Sequence, residues 1–267
     1  MPTPPTKTKT EQQQFAQKLR GGFASINTVI RRDVGRRDRL GLTPTAADAL
    51  RDIEDLQTYA FATDSRKHEK FMAWLRRQFD RGVLEPVRND AGEIQYVRSA
   101  YEKGIRHADT WLQQAGASVP AGTVADAFTR SIHIETVEQL YTRTFNELEG
   151  ITSATGQQMS RVLSDALTQG WGAEKTAREL TDRIDSYGKV NATRTARTEI
   201  PRAHNEAAKT RYREADVERV KILGHDPCED CQEFVGNVYP IDDIPHGGPP
   251  FHPQCQGTVI PVLDDDS

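Results

Sequence analysis

Apolar residues are scarce in this chain of 267. They make up 36% of it, and mean hydropathy is -0.68, whereas roughly 45–50% apolar is usual for a globular domain. The length permits one large domain or two modest ones. The deficit excludes one deep core holding the whole chain and fits thin amphipathic helices, or an extended molecule resting on partners. No run approaches the about 18 consecutive apolar residues a membrane span requires. No apolar segment follows Met1, so no secretory leader is expected. Cysteine is rare and odd in number: Cys228, Cys231 and Cys255. Without a secretion signal, that count speaks against a disulfide framework. There is no nucleotide-binding glycine motif and no internal repeat.

Charge is plentiful but unevenly placed. Residues 1–40 carry nine Lys/Arg against three Asp/Glu, a net of +6. Residues 41–212 carry 23 against 24, and 213–267 carry three against twelve, a net of -9. The basic head, with Arg31, Arg32, Arg36, Arg37 and Arg39, either meets phosphates or an acidic protein surface, or is a solvated helix end. The acidic end closes on Asp264, Asp265 and Asp266 as a solubilising tail and is a poor DNA contact.

Most of the chain carries helical periodicity. Residues 2–14 are polar and read as a disordered arm. Phe15, Leu19, Phe23, Ile26 and Ile30 then recur at steps of three and four, with Gly21 and Gly22 weakening the pattern. Thr43 and Pro44 start a second helix with Leu50, Ile53 and Leu56 on one face. A third spans 65–79 through Phe71, Trp74, Leu75 and Phe79. A hairpin is expected from β-like runs at 82–87 and 93–97 around a polar turn. Helical patterns resume at 99–115, 123–130, 134–148, 153–167 and 173–184. A long helix at 191–215 follows, kinked or restarted near Pro201. Strands are expected at 217–223, 235–239 and 258–263, around a Pro/Gly-rich loop. The expected division is a basic arm and helix at 1–40, a helical region at 41–152, a unit at 153–263 whose knuckle occupies 216–263, and the tail 264–267. The fold class is mainly α: an elongated helical N-terminal region, then a helical unit with a small zinc-stapled β knuckle.

The three cysteines supply the clearest chemistry. They form C-x2-C at Cys228 and Cys231, then H-x2-C at His252 and Cys255 after twenty intervening residues. A two-residue spacer lets one tight turn aim two ligands at one ion, and two such turns complete a tetrahedral Cys3His zinc set. Competing readings are a disulfide with one free thiol, a redox CxxC, or merely buried thiols. No βαβ setting supports the redox reading. His225 and His246 stand as alternatives to His252. Asp226 either accepts hydrogen bonds from the knuckle or is a turn residue. Four protein ligands leave no open position, so one structural zinc per chain is expected, ordering a loop too poor in apolar residues to order itself.

From about Val162 to Pro261 the chain resembles the phage Mu F-like minor head protein family, the phage head morphogenesis proteins. The matching residues run in order: Leu163 to Ala173 (LSDALTQGWGA), Arg194 to Glu199 (RTARTE), Ala203 to Ala207 (AHNEA), Asp226 to Cys231 (DPCEDC) and Pro249 to Cys255 (PPFHPQC). The family often closes H-P-x-C-R-C. Here Gln256 and Gly257 stand in place of the last Arg and Cys, which strengthens the case for His252. Pro201 replaces an ordinary helix former. Arg197 and Glu199 either form a buried pair tying the long helix to the knuckle or are exposed charges. A structural role is favoured for Glu199, since no second carboxylate or nucleophile can be placed beside it.

The resemblance implies a low-copy virion component, not an enzyme, associated with the portal protein and active in head assembly or genome packaging and delivery. It would reside at the portal vertex of the head, and in host cytoplasm during assembly. Further expected partners are the major capsid protein and packaged DNA, met through the basic arm, with no membrane and no small-molecule substrate. Some relatives carry a toxin domain after this unit, and twelve residues after Cys255 leave no room for one. The alternative is a zinc-dependent nucleic-acid-binding protein, against which the -9 end speaks, or a nuclease, which would need His246 and His252 presented as a base and metal-binding pair.

Overall fold

The computed structural model describes residues 6–43, 53–224 and 228–263, with side chains from 65 onward in the middle stretch. The expectations placed on Pro44, Leu50, the side chains of Ile53 and Leu56, His225, Asp226, Pro227 and Asp264 to Asp266 lie outside the described residues. In chain order the elements are α1 (Lys9–Ile30), α2 (Ile53–Phe79), α3 (Gln95–Gln114), α4 (Val124–Ala127), α5 (Ser131–Gln169), α6 (Ala173–Arg183), α7 (Lys189–Glu214), β1 (Arg219–Leu223), α8 (Glu229–Gln232), β2 (Val238–Pro240) and β3 (Thr258–Val262). The fold is thus mostly helical with one small sheet. No helix among the described residues is long and apolar enough to cross a membrane.

Two compact units are woven from separate stretches: one from the described parts of 1–17, 88–146 and 193–267, the other from 18–87 and 147–192. We call them the knuckle unit and the helical unit. Helices α1, α5 and α7 pass from one to the other.

The helical unit has an apolar interior. Leu19, Phe23, Ile26 and Ile30 of α1, Phe71, Leu75 and Phe79 of α2, and Met159, Leu163 and Ala166 of α5 are all buried. Phe23 meets Phe79 edge-on, with ring centroids 5.9 Å apart. The glycine that weakens the helical pattern has a use here. A Cβ on Gly22 would fall on the Gly82 carbonyl oxygen, so only glycine lets these two backbones touch.

The knuckle unit places α3, α7 and the sheet around a second core. Ala108 and Leu112 of α3, Ala208 and Tyr212 of α7, Val220 and Ile222 of β1, and Val259 of β3 pack together. A Cβ on Gly104 of α3 would meet the His204 carbonyl and Ala207 of α7, so these helices also approach through glycine. The sheet is antiparallel in the order β2-β1-β3, with Val220 opposite Tyr239 on one side and Pro261 on the other.

This interior is unusually polar. The Arg211 side chain is 1% exposed and bonds Asp109 at 2.6 Å, Glu214 at 2.9 Å and the Pro120 carbonyl at 2.8 Å. Glu214 also pairs with Arg130 at 2.7 Å. Burial alone would raise its carboxyl, but Arg130, His133 and Arg211 together hold it down at about 2. Trp111 Nε1 donates to His107 Nε2, which leaves His107 Nδ1 to donate to His204 Nε2 at 3.1 Å. Both rings are therefore neutral. Burial lowers each, His204 to about 3 with further help from His107.

Several expectations need correction. Residues 9–14 are helix rather than disordered arm. Thr8 starts α1 by accepting from the Gln12 backbone at 3.0 Å and from its side chain at 3.0 Å, and Glu11 pairs with Lys103 at 2.6 Å. There is no hairpin at 82–97. Residues Asp80–Leu84 form a π turn, Glu85–Val87 a 3-10 turn, and Gln95 opens α3. Packing overrides β propensity here, because Val83, Leu84, Val87, Ile94 and Val97 are all buried. α5 runs unbroken through Gly150 and Gly156, and α7 runs as one helix through Pro201. Ser186 and Gly188 lie in a π turn, Ile184–Gly188, that joins α6 to α7.

Candidate metal centre

Two tight turns bring the cysteine-bearing halves together. Cys228 stands at the N-terminus of α8 in extended conformation, and its carbonyl accepts from the backbones of Cys231 and Gln232, each at 3.0 Å. Both thiols thus project from a single turn. The second turn closes when the Cys255 backbone donates to the His252 carbonyl at 3.1 Å, with Gln254 at φ 65°. The two halves are also stapled by Phe234 stacked on Phe251, centroids 4.4 Å apart.

Donor atoms converge at this junction. His252 Nε2 lies 3.0 Å from Cys228 Sγ and 2.8 Å from Cys231 Sγ. Cys255 Sγ lies 3.5 Å from Cys231 Sγ and accepts from the Gly257 backbone at 3.4 Å. His252 Nδ1 is 2.9 Å from the Pro253 carbonyl. That contact makes Nδ1 the protonated nitrogen and leaves the Nε2 lone pair aimed at the thiols, as outer partners of ligating histidines do. Cys228, Cys231 and His252 form a group that can hold a metal ion, their donors all within 4.8 Å of one another. Burial first, then the thiols of Cys255 and Cys228, push the Cys231 thiol above its ordinary range. A cation reverses that logic, because it binds the thiolate.

His246 does not join the group. Its ring stands edge-on to Phe234 at 5.8 Å and it is exposed. A general-base pairing of His246 with His252 therefore gains no support.

What sequence reading missed is how α7 grips this loop. Asn205 is fully buried. Its Nδ2 donates to the Pro249 carbonyl at 3.1 Å and the Gly257 carbonyl at 3.0 Å, and its Oδ1 accepts from Thr258 at 2.8 Å. One amide thus fixes both ends of the His252–Cys255 turn. The Gln254 backbone donates to Thr198 Oγ1 at 3.1 Å, and Arg197 donates to Gln254 Oε1 at 2.9 Å. Arg197 thus bonds the loop. Glu199 is buried, accepts from Arg143 of α5 at 3.1 Å and is approached by Arg202 at 3.5 Å. The signal available in sequence was the order of the polar runs at 194–199 and 203–207, which named the residues but not their partners.

The geometry thus defines a class: a Cys/His metal-binding knuckle clamped on a long helix by buried polar side chains. Residues 157–260 match the family model described as Phage Mu protein F like protein. This stretch, from the C-terminal part of α5 into β3, is thus similar to the Mu F-like family whose motif order it carries. No curated protein and no solved structure gave a match.

Proposed function

We propose that this protein is a minor capsid protein of a tailed virus, carried in the head at the portal vertex and structural rather than catalytic. One observation carries the reading. Within the Mu F-like stretch the motif side chains are engaged in holding the knuckle or the helix beneath it: Asn205 and Thr198 on the loop, Glu199 on Arg143. In this reading the portal protein is the principal partner, with the major capsid protein and packaged DNA as further contacts.

The ion is zinc, one per chain, with Cys255 as fourth ligand beside Cys228, Cys231 and His252. Zinc–sulfur and zinc–nitrogen bonds of about 2.3 and 2.0–2.1 Å at tetrahedral angles set donors roughly 3.5–3.8 Å apart. The observed 2.8 and 3.0 Å spacings of His252 from the two thiols are somewhat tighter and of the right order, while Cys255, 3.5 Å from Cys231, stands outside the 4.8 Å group of the other three and would close in on the ion. A Cys3His set is closed, which favours a structural role.

The test is composition of purified particles and procapsids by mass spectrometry, with cross-linking to the portal protein. Low-copy presence and portal cross-links are expected. Absence from both particle types overturns the reading.

A further inference from the structure

The turn Arg31–Arg36 that ends α1, with the loop after it, gathers five arginines in a short space. Asp33, 4% exposed, sits at their centre. Its carboxylate accepts from Arg32 Nε and Nη2, both at 2.9 Å, and is approached by Arg37 at 3.5 Å and Arg39 at 3.7 Å. The backbone is held as well: Arg37 N bonds the Arg32 carbonyl and Arg39 N the Asp33 carbonyl, each at 3.0 Å. Gly35 lies against Ala177 of α6, fixing the turn to its own unit. The side chains of Arg32, Arg37 and Arg39 remain 50%, 56% and 60% exposed, and Arg31 and Arg36 are exposed too.

Charge does not balance among the described residues of this turn and loop. One buried carboxylate faces three guanidinium groups, and Arg31 and Arg36 add two more. The other acid of the loop, Asp38, is engaged by the backbone N–H groups of Leu42 and Thr43 at 2.7 and 2.9 Å. Lys67 of α2 joins the margin, donating to the Gly41 carbonyl at 2.9 Å. Arg37 and Arg39 each approach Asp33 through one nitrogen, so their other donors point to water. A guanidinium already oriented loses less freedom on meeting a phosphate, and its fork matches phosphate oxygens.

The surroundings select the partner. A protein interface needs an apolar centre, and Val34 and Leu42 are buried within the fold. Single-stranded nucleic acid needs aromatic stacking platforms, and residues 31–43 contain no aromatic. Among the described residues of the turn and its loop the exposed contact is made by arginines, which fits a duplex backbone. We infer that the Asp33-centred arginine turn is a sequence-independent docking site for the phosphates of duplex DNA. The inference rests on the head-protein reading only for where that DNA would be met. Binding in solution succeeds or fails independently of particle composition.

The experiment uses the full-length, metal-loaded protein and a fluorescent duplex of about 30 base pairs, read by anisotropy across 50–200 mM salt. Four engaged phosphates predict a weakening on the order of 10²-fold over that range. The double variant Arg31→Ala/Arg36→Ala leaves the Asp33 contacts in place, and circular dichroism checks its fold. It should bind at least about tenfold more weakly and lower the salt slope by about 2. Asp33→Asn removes a negative charge yet loosens the anchor, so weaker binding supports an organised site and unchanged or tighter binding counts against one. Absent duplex binding, an unchanged slope in the double variant, or equal or tighter binding of poly-glutamate at matched charge each overturn the proposal, the last in favour of an acidic protein partner.

Discussion

The two units of this chain differ in how far charged groups share the core: in the helical unit the buried ion pair around Asp33 lies at the turn that ends α1. The helical unit buries phenylalanines and aliphatic side chains of α1, α2 and α5 against one another. The knuckle unit buries Arg211, Glu199, Asn205 and His204 beside its aliphatic core. Apolar packing is additive and tolerant, at about 25 cal/mol per Å² removed from water. A buried polar network is all-or-nothing: satisfied, it specifies one arrangement, and with one partner missing it leaves an orphaned group. The knuckle unit should therefore respond sharply to metal, to single polar substitutions and to acid, and the helical unit to cavities.

The largest effect should come from the metal. Structural zinc contributes roughly 10–16 kcal/mol in small finger peptides, and here it would add to the β1–β2 pairing and the buried Ile241 and Ile244 that already hold the 232–251 loop. Chelation, or Cys231→Ser, should release about one zinc per chain and expose the amides of Cys231, Cys255 and Val259 to hydrogen exchange. The amides of Phe23 and Phe79 should stay protected. Unchanged protection around Cys231 in metal-stripped protein would sink the metal-centre reading while leaving the family match intact.

Next in size is Phe23→Ala. This side chain is fully buried, meets Phe79, and covers Gly188. Its loss should cost about 3–5 kcal/mol in chemical denaturation while leaving metal affinity unchanged. A matching loss of metal affinity would mean that the two units do not fail separately.

How much of this was legible beforehand depends on the range of the interaction. The α1 face from Phe15 to Ile30 and the α2 set of Phe71, Leu75 and Phe79 were readable, because a 3.6-residue period is a local property. All of them are buried. Cys228, Cys231 and His252 were readable because ligand geometry imposes short spacings. Residues 82–97 misled, since β-branched and apolar residues suit any buried surface and packing against helices decided their form. The continuity of α5 past Gly150 was hidden by a glycine that an exposed helix tolerates at about 1 kcal/mol. The Asn205 clamp and the Arg143–Glu199 pair join residues more than forty positions apart. No local pattern encodes such partners. For the same reason the weave of the units is silent in sequence: α1, α5 and α7 keep one periodicity as they cross between them.

Asn205→Ala isolates the polar clamp. Removing this amide strips a partner from the Pro249 and Gly257 carbonyls and from the Thr258 hydroxyl. The expected cost is about 1–3 kcal/mol, less than Phe23→Ala. Metal affinity, however, should fall about 10–100-fold, as when an outer partner of a ligand is lost. Isothermal titration against a competing chelator reads this directly. Unchanged affinity would show that the knuckle orders itself without α7.

The effect most diagnostic of the polar interior concerns Glu214. Its carboxyl is held at about 2 in the fold against an ordinary 4.5. A carboxyl depressed on folding contributes stability that is fully present above about pH 4.5 and is lost as pH falls toward 2. Glu214→Gln removes the pairs with Arg130 and Arg211, so the variant should have the lower urea midpoint at pH 7. On acidification the wild-type midpoint should fall faster, and the two curves should meet as pH approaches about 2, where the wild-type side chain is itself neutral. Protonation of metal ligands affects both proteins alike, so the difference between the curves reports Glu214 alone. Curves that stay parallel from pH 7 to pH 2.5 would mean that this carboxylate is not held by its arginines, and that the contrast between a charged and an apolar interior is overstated.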